Sequence, residues 1–326
     1  MKHKLLSVFL VLAFMFGFLA VSVGAFVFID VNGDGKSNAD DTAYIVSAIA
    51  KWLGFTMKNE IENIPDGSEA STSAKLLHEE NFDGTSFDGK KWSYCPEWER
   101  GNGLSKWDNS MATLDGEGHL VLRAEWDEEN NRVRCGGVRT IVPEPYWGST
   151  TYGYGLGYYE ASIKVPKAYG IWGAFWLMCG DVSNVDGSAA DGVELDIIET
   201  VYKKVGAYSN SAMYWDGYGE EKKQLWKSYP IADYNIFDGN FHTFALERTE
   251  SEYIYYIDGE EVWRVTSDEC DICTEDGYIK LTIEGAEWAG AGTKESIADL
   301  PAEMVVDYVR VYDANPYSIS FEKEMV

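Results

Sequence analysis

Glu194, Asp196 and Glu199 fall within the run Glu194-Leu195-Asp196-Ile197-Ile198-Glu199. Alternate side chains of a β-strand share a face, so Glu194 and Asp196 point the same way. Glu199 stands five positions from Glu194, and strict alternation would send it to the other face. One extra residue at Ile197-Ile198, a β-bulge, returns it to the first face. Leu195 and the isoleucines then pack behind the acids. Crowded carboxylates repel and drive their pKa values apart, as a paired acid and base require. Such a pair suits cleavage of a glycosidic bond: one carboxylate attacks the anomeric carbon or activates water, and the other protonates the leaving oxygen. With the bulge counted, the glutamates are about four strand pitches apart, roughly 13 Å between backbones at ~3.3 Å per residue. Side chains leaning inward can reach the ~5–5.5 Å separation of retaining enzymes, although this spacing leaves inversion open.

Aromatic residues flank the acids. In Gly170-Ile171-Trp172-Gly173-Ala174-Phe175-Trp176-Leu177, alternation puts Trp172, Ala174 and Trp176 on one face. Two indoles with a small residue between them can floor a sugar site, while Phe175 and Leu177 belong to the core. Downstream, Ser211–Gly219 reads as another aromatic strand, and its Tyr214 and Trp215 join the candidate substrate-binding residues. The elements that position all of these are strands. Tyr158–Val165 alternates well, Leu120–Ala124 reads as a buried strand, and Val305–Tyr312 as a final one. Tyr253–Ile257 and Glu260–Trp263 form a hairpin about Asp258-Gly259. Many short strands with turn signals predict an all-β two-sheet sandwich over residues 76–313, with no long helix.

The 326-residue chain carries 54 acidic and 27 basic side chains, a formal net charge of −27. That field repels nucleic acid and anionic membranes and suits a neutral partner. The N-terminus is basic at Met1-Lys2-His3-Lys4, then charge-free from Leu5 to Ile29, with Val23-Gly24-Ala25 as a small-residue cleavage site. This describes a secretory signal over residues 1–25, hence a secreted protein; an uncleaved membrane anchor is the alternative. Five cysteines are an odd count for an exported chain. Cys270-Asp271-Ile272-Cys273 has redox-motif spacing but no surrounding βαβ pattern, so a local disulfide or two free thiols is expected.

Residues 30–41 place side-chain oxygens at Asp30, Asn32, Asp34, Asn38 and Asp41, with Gly35 at the sharp turn and Lys36 offering its carbonyl. This is the spacing of an EF-hand-type calcium loop. Tyr44, Ile45, Ile49 and Leu53 follow with helical period and Gly54 stops the helix. The segment 26–55 resembles one repeat of a dockerin, the calcium module that docks enzymes onto cohesin scaffold proteins. Dockerins normally carry two repeats, and a second is not found. Residues 56–75 read as a polar linker, and residues 314–326 as a tail.

Over about residues 76–313 the chain resembles glycoside hydrolase family 16, the laminarinase and lichenase group. The resemblance rests on the E-x-D-x-x-E run, on the W-x-A-x-W before it, on Phe241-His242-Thr243-Phe244 with Tyr256-Ile257-Asp258-Gly259, and on Val306–Tyr312. It implies a concanavalin-like jelly roll and retaining cleavage, with Glu194 as nucleophile and Glu199 as general acid/base. Asp196 would hydrogen-bond the nucleophile and tune the pair. It implies no cofactor for catalysis, and a structural calcium whose ligand in the last strand would be Asp307. Relatives often read H-W-D-G where this chain has Tyr214-Trp215-Asp216-Gly217, so Tyr214 replaces a substrate-contacting His. The six-residue signature goes with laminarinase-like members and points to β-1,3- or mixed β-1,3/1,4-glucan. The alternatives are a galactan hydrolase, a xyloglucan-type hydrolase or transglycosylase, and a non-catalytic glucan-binding module. The net charge argues against a sulfated substrate such as carrageenan, and three crowded carboxylates argue against a mere binding module.

Overall fold

Alternating apolar and polar residues along short segments build two sheets laid face to face in the computed structural model, which describes residues 74–87, 91–140, 153–203 and 205–318. The expected secretory signal, the expected calcium loop and helix, and most of the expected linker lie outside the described residues. The described residues belong to one unit. One sheet has seven strands in the order β13 (Lys223–Pro230), β12 (Tyr208–Trp215), β11 (Gly192–Val201), β10 (Ile171–Gly180), β17 (Gly277–Gly285), β8 (Gly137–Thr140) and β2 (Trp92–Tyr94). The other runs β16 (Glu260–Thr266), β15 (Glu252–Ile257), β14 (His242–Arg248), β9 (Gly157–Lys164), β18 (Ala302–Tyr312), β6 (Leu120–Asp127), β7 (Arg132–Cys135), β4 (Ser105–Trp107) and β3 (Glu99–Arg100). Off this path β1 (Leu76–Glu80) pairs with β18, and β5 (Ala112–Leu114) with β6. Pairing is antiparallel except between β4 and β7. The expected all-β sandwich holds, and its one α-helix among the described residues is the short α1 (Lys294–Ala298).

The core lies between the sheets. Phe175 and Leu177 of β10, Leu195 and Ile198 of β11, and Leu281 of β17 share it with Tyr159, Ile163, Phe244 and Leu122 of the other sheet, all essentially inaccessible. Each such side chain stabilises the fold by about 1.5–3 kcal/mol. Every second residue of β10, β11 and β17 is thereby committed inward, which turns the residues between them to the outer face. The β15–β16 hairpin turns at Asp258 and Gly259 with φ of 50° and 78°, the type I′ geometry that an Asp-Gly pair adopts. Asp258 also explains the Phe241–Phe244 block. His242 Nδ1 lies 2.8 Å from Asp258 and its Nε2 3.1 Å from Asp238. Burial opposes the imidazolium, but those two carboxylates hold the His242 pKa above its ordinary value.

All five cysteines are buried free thiols, so Cys270 and Cys273 take the second of the two expected forms. The start of the tail is attached to the eleven-stranded sheet: Asn315 Nδ2 donates to Glu247 at 2.9 Å, and the Tyr317 hydroxyl to Glu160 at 3.3 Å.

Arg248 is a pin within the core. Its guanidinium donates to the carbonyls of Tyr154, Gly155, Cys273 and Glu275 and to the Tyr159 hydroxyl at 2.8–3.2 Å. No aliphatic side chain can satisfy those acceptors. Arg248→Met is expected to destabilise the fold by about 3 kcal/mol or more, since buried acceptors lose charge-assisted partners. A urea midpoint within error of the wild type would refute this.

Candidate active site

β11 lies between β10 and β12, and both registers slip at one place. Against β12, Glu194 opposes Tyr214, Asp196 opposes Ala212 and Glu199 opposes Asn210, so β11 carries one residue more than its partner. Against β10, the same acids oppose Met178, Trp176 and Ala174. The predicted bulge is therefore present, and all three acids occupy the outer face. A bulge leaves backbone groups outside the ladder, and buried ones must find partners. The Ile197 carbonyl accepts a hydrogen bond from Ser211 Oγ at 2.7 Å, and Ser211 Oγ accepts one from the Tyr229 hydroxyl at 3.1 Å.

The three carboxyls differ in surroundings. Burial, joined by the charges of Glu194 and Glu284, pushes Glu199 up to about 7; a 2.7 Å hydrogen bond from Asn210 Nδ2 works the other way. Asp196 is buried, and desolvation, then Glu194 and Glu199, drive its pKa well above the carboxylate range. Burial also raises Glu194, opposed by a hydrogen bond from the Tyr218 hydroxyl at 2.5 Å and by the charges of Lys280 and Arg100. The family resemblance assigned a bond on Glu194 to Asp196; the Tyr218 hydroxyl is a further donor to it, which the sequence reading did not single out. A group near 7 can both give and take a proton at neutral pH.

Strand pairing lines up a row across this sheet at the level of Asp196. It runs Arg139 on β8, Lys280 on β17, Trp176 on β10, Asp196, Ala212 on β12 and Trp226 on β13. The Lys280 ammonium lies 3.6 Å from the Trp176 ring centre and 4.8 Å from that of Trp107. Arg100 sits over Trp107 at 4.4 Å and holds Glu284 at 2.8 Å. Sequence reasoning did not single out Lys280, Glu284 or Arg139. The signal was present: Tyr278, Lys280, Thr282 and Glu284 alternate with Ile279, Leu281 and Ile283, which reads as a strand with one polar and one apolar face.

Trp172 and Trp176 stand on the acids' face as expected, and Trp172 meets the half-exposed Trp288 at 5.0 Å between ring centres. Tyr214 is on that face too, with the Lys222 ammonium 4.8 Å over its ring. Trp215 is not. It follows Tyr214 directly, so alternation turns it to the inner face with Met213, a side that does not fit the substrate contact expected of it. Asp307 sits in β18 where its register against β9 shifts, 3.4 Å from Ser162 Oγ. Among the described residues no group of three or more His, Cys, Asp or Glu side chains gathers to hold a metal, so side chains alone do not build a calcium cage around Asp307.

Trp226 is 61% exposed on the edge strand of the site-bearing sheet. An exposed indole in line with the acids offers a flat apolar platform for a sugar ring. Trp226→Ala is expected to raise KM for a polymeric substrate several-fold with kcat within about twofold, the mark of lost uniform binding. An unchanged KM would show that this indole carries no sugar.

Aligned acids under an aromatic, cation-flanked face of a two-sheet sandwich fit a polysaccharide-cleaving site. The family model described as beta-porphyranase A-D, GH16 domain, matches residues 78–314, and the chain belongs to this family within glycoside hydrolase family 16. A glucan endo-1,3-beta-glucosidase A1 of Niallia circulans is 21% identical over 74% of this chain and 38% of its own length. A keratan-sulfate endo-1,4-beta-galactosidase of Sphingobacterium multivorum is 28% identical over 76% of this chain and 60% of its own length. The chain thus spans less than two thirds of either relative's length. Among solved structures, a Bacteroides ovatus family 16 mixed-linkage glucan enzyme in complex with its product shares the jelly-roll fold, at TM-score 0.58 and 23% identity over 72% of this chain and 99% of that one.

Proposed function

We propose that this chain is an exported, retaining endo-hydrolase of β-linked glycans. The observation that carries the reading is the bulged β11, which sets Glu194, Asp196 and Glu199 on one face with Glu199 held near 7. Glu194 attacks the anomeric carbon, and Glu199 gives its proton to the departing oxygen. Glu199 then takes a proton from water, whose oxygen displaces Glu194. Asp196 keeps a proton between the two and limits their mutual repulsion. Proton NMR of the first product tests the stereochemistry: a β-anomer is expected, and an α-anomer refutes retention.

The first substrate reading is β-1,3- or mixed β-1,3/1,4-glucan, supported by the six-residue signature and the glucanase relatives. A second reading, an anionic galactan, is favoured by one specific observation. Arg139 and Lys280 share the acids' row and Arg100 lies beside them. The overall charge of −27 argued against a sulfated polymer, but a ligand feels the near charges first. The matched family's description and the keratan-sulfate relative support this reading too. A product profile on laminarin, lichenan, xyloglucan, agarose and a sulfated galactan, the last before and after desulfation, decides between them. Turnover of laminarin or lichenan alone supports the first reading; turnover lost on desulfation supports the second.

Calcium binding at Asp30, Asn32, Asp34, Lys36, Asn38 and Asp41, with docking to a cohesin-type scaffold, remains part of the proposal. Calcium titration of the full chain against its Asp30→Ala/Asp34→Ala variant tests the binding.

A further inference from the structure

We infer that Tyr218 is a positioning residue for the nucleophile: its hydroxyl holds Glu194 through a hydrogen bond, and the turn after β12 exists to deliver it. The inference rests on the reading of Glu194 as nucleophile. Tyr218 follows Asp216 and Gly217, whose φ values of 58° and 71° reverse the chain. The left-handed region suits Gly217 because it lacks a Cβ. Asp216 fixes the turn from within. Its carboxylate accepts the Asp186 and Gly187 N–H groups at 3.2 and 3.0 Å and pairs with Lys223 at 3.2 Å. The Gly217 N–H donates to the Val182 carbonyl at 2.7 Å. The turn is thus tied to the β10–β11 connection on one side and to the start of β13 on the other. It carries the Tyr218 ring back over the acids' face, with the hydroxyl 2.5 Å from Glu194 Oε2 and 3.6 Å from Met178 Sδ. Tyr218 stays 59% exposed, so it contributes little to the core.

The bond acts differently on the two halves of the reaction. A phenol donates more strongly to a carboxylate than to an ester oxygen. When Glu194 bonds to the anomeric carbon, the old glycosidic bond breaks and the leaving oxygen takes the Glu199 proton. The Glu194 charge disappears and the Tyr218 bond weakens. When water displaces the glycosyl group, Glu199 takes a water proton and the electron pair of the breaking ester bond returns to Glu194. Tyr218 then donates to the charge as it forms. Tyr218 therefore favours breakdown of the covalent intermediate and keeps free Glu194 ionised. Other groups act on Glu194 as well: Asp196 and Glu199 on its own strand, Lys280, Glu284 and Tyr278 on β17, Arg100 on β3, and Tyr214 on β12. All of these remain in place when one hydroxyl is removed.

Tyr218→Phe in the full chain tests the inference. With Tyr218 gone, kcat is expected to fall on the order of 10-fold or more, with KM falling alongside as the glycosyl-enzyme accumulates. The acid limb of kcat/KM, set by Glu194, is expected to move to higher pH. Carbon-13 NMR of Glu-labelled protein, with Glu194 assigned through Glu194→Gln, should show the Glu194 midpoint moving the same way. A kcat within twofold of wild type with an unmoved midpoint overturns the inference. If the wild type cleaves no glycan yet the midpoint moves, the Tyr218 bond stands and the hydrolase reading is what fails.

Discussion

Glu194→Gln is expected to abolish turnover while leaving glycan affinity intact. Gln has the size and shape of Glu, so the bulged register, the Met178 and Tyr214 neighbours and the Tyr218 turn are undisturbed. An amide oxygen is too weak a nucleophile to form the covalent intermediate. Loss of a residue on which the whole reaction depends costs on the order of 10⁴-fold or more. The proposed binding surface is Trp172, Trp176, Trp226 and the cations of the row, and none of these changes. Calorimetric titration with a glycan the wild type cleaves should therefore give a dissociation constant near the wild-type Michaelis constant. Retained turnover would sink the nucleophile assignment, and lost affinity would move Glu194 into the binding machinery.

Glu199→Ala is expected to lose 10²–10⁴-fold on a polymer, the usual contribution of a general acid and base. Two rescues follow from its double role. An oligosaccharide with an activated aryl leaving group needs no proton, so the first step recovers. Azide needs no general base: its nitrogen bonds to the anomeric carbon as the Glu194 ester breaks, giving a β-glycosyl azide. Absence of both rescues would remove Glu199 from this role. The pH profile adds a check. In the wild type Glu199 must be protonated for the first step, so the rate should fall above about 7, where burial and its acidic neighbours have placed it. That limb should vanish for the activated substrate in Glu199→Ala. The linkage sign is also fixed. The folded protein holds this proton to about 7 while the unfolded chain loses it near the ordinary glutamate value of 4.5. Stability therefore falls as pH rises through that window, and Glu199→Ala relieves the fall.

The sandwich and the acid row were legible because both rest on alternation, which is local. Leu195 and Ile198 had to face a core, and this fixed where Glu194, Asp196 and Glu199 had to point. Trp215 was misread because the rule was not applied to it: it adjoins Tyr214, and neighbours in a strand cannot share a face. Trp226 and Tyr218 were hidden for another reason. Their places depend on which strands pair and in which register, and no local pattern states that Ala212 lies opposite Trp226. The cations of the row were masked by the total charge, which says nothing of where Arg139 and Lys280 converge. The resemblance named Asp196 as a partner of Glu194 but not Tyr218, because a turn beyond the next strand brings that hydroxyl in.

The bulge in β11 also bears on how such sites diversify. Facing along a strand is a matter of parity: even separations agree and odd ones oppose. The separation of five between Glu194 and Glu199 is odd, and Ile197 makes it effectively even. Excising that single residue leaves separations of two and four from Glu194, so a regular strand would present the same three acids. A bulged and a regular catalytic strand are thus one codon apart, with no intermediate in which an acid points into the core. The Ser211 and Tyr229 hydroxyls, which serve the Ile197 carbonyl, are what the regular version would leave without a task.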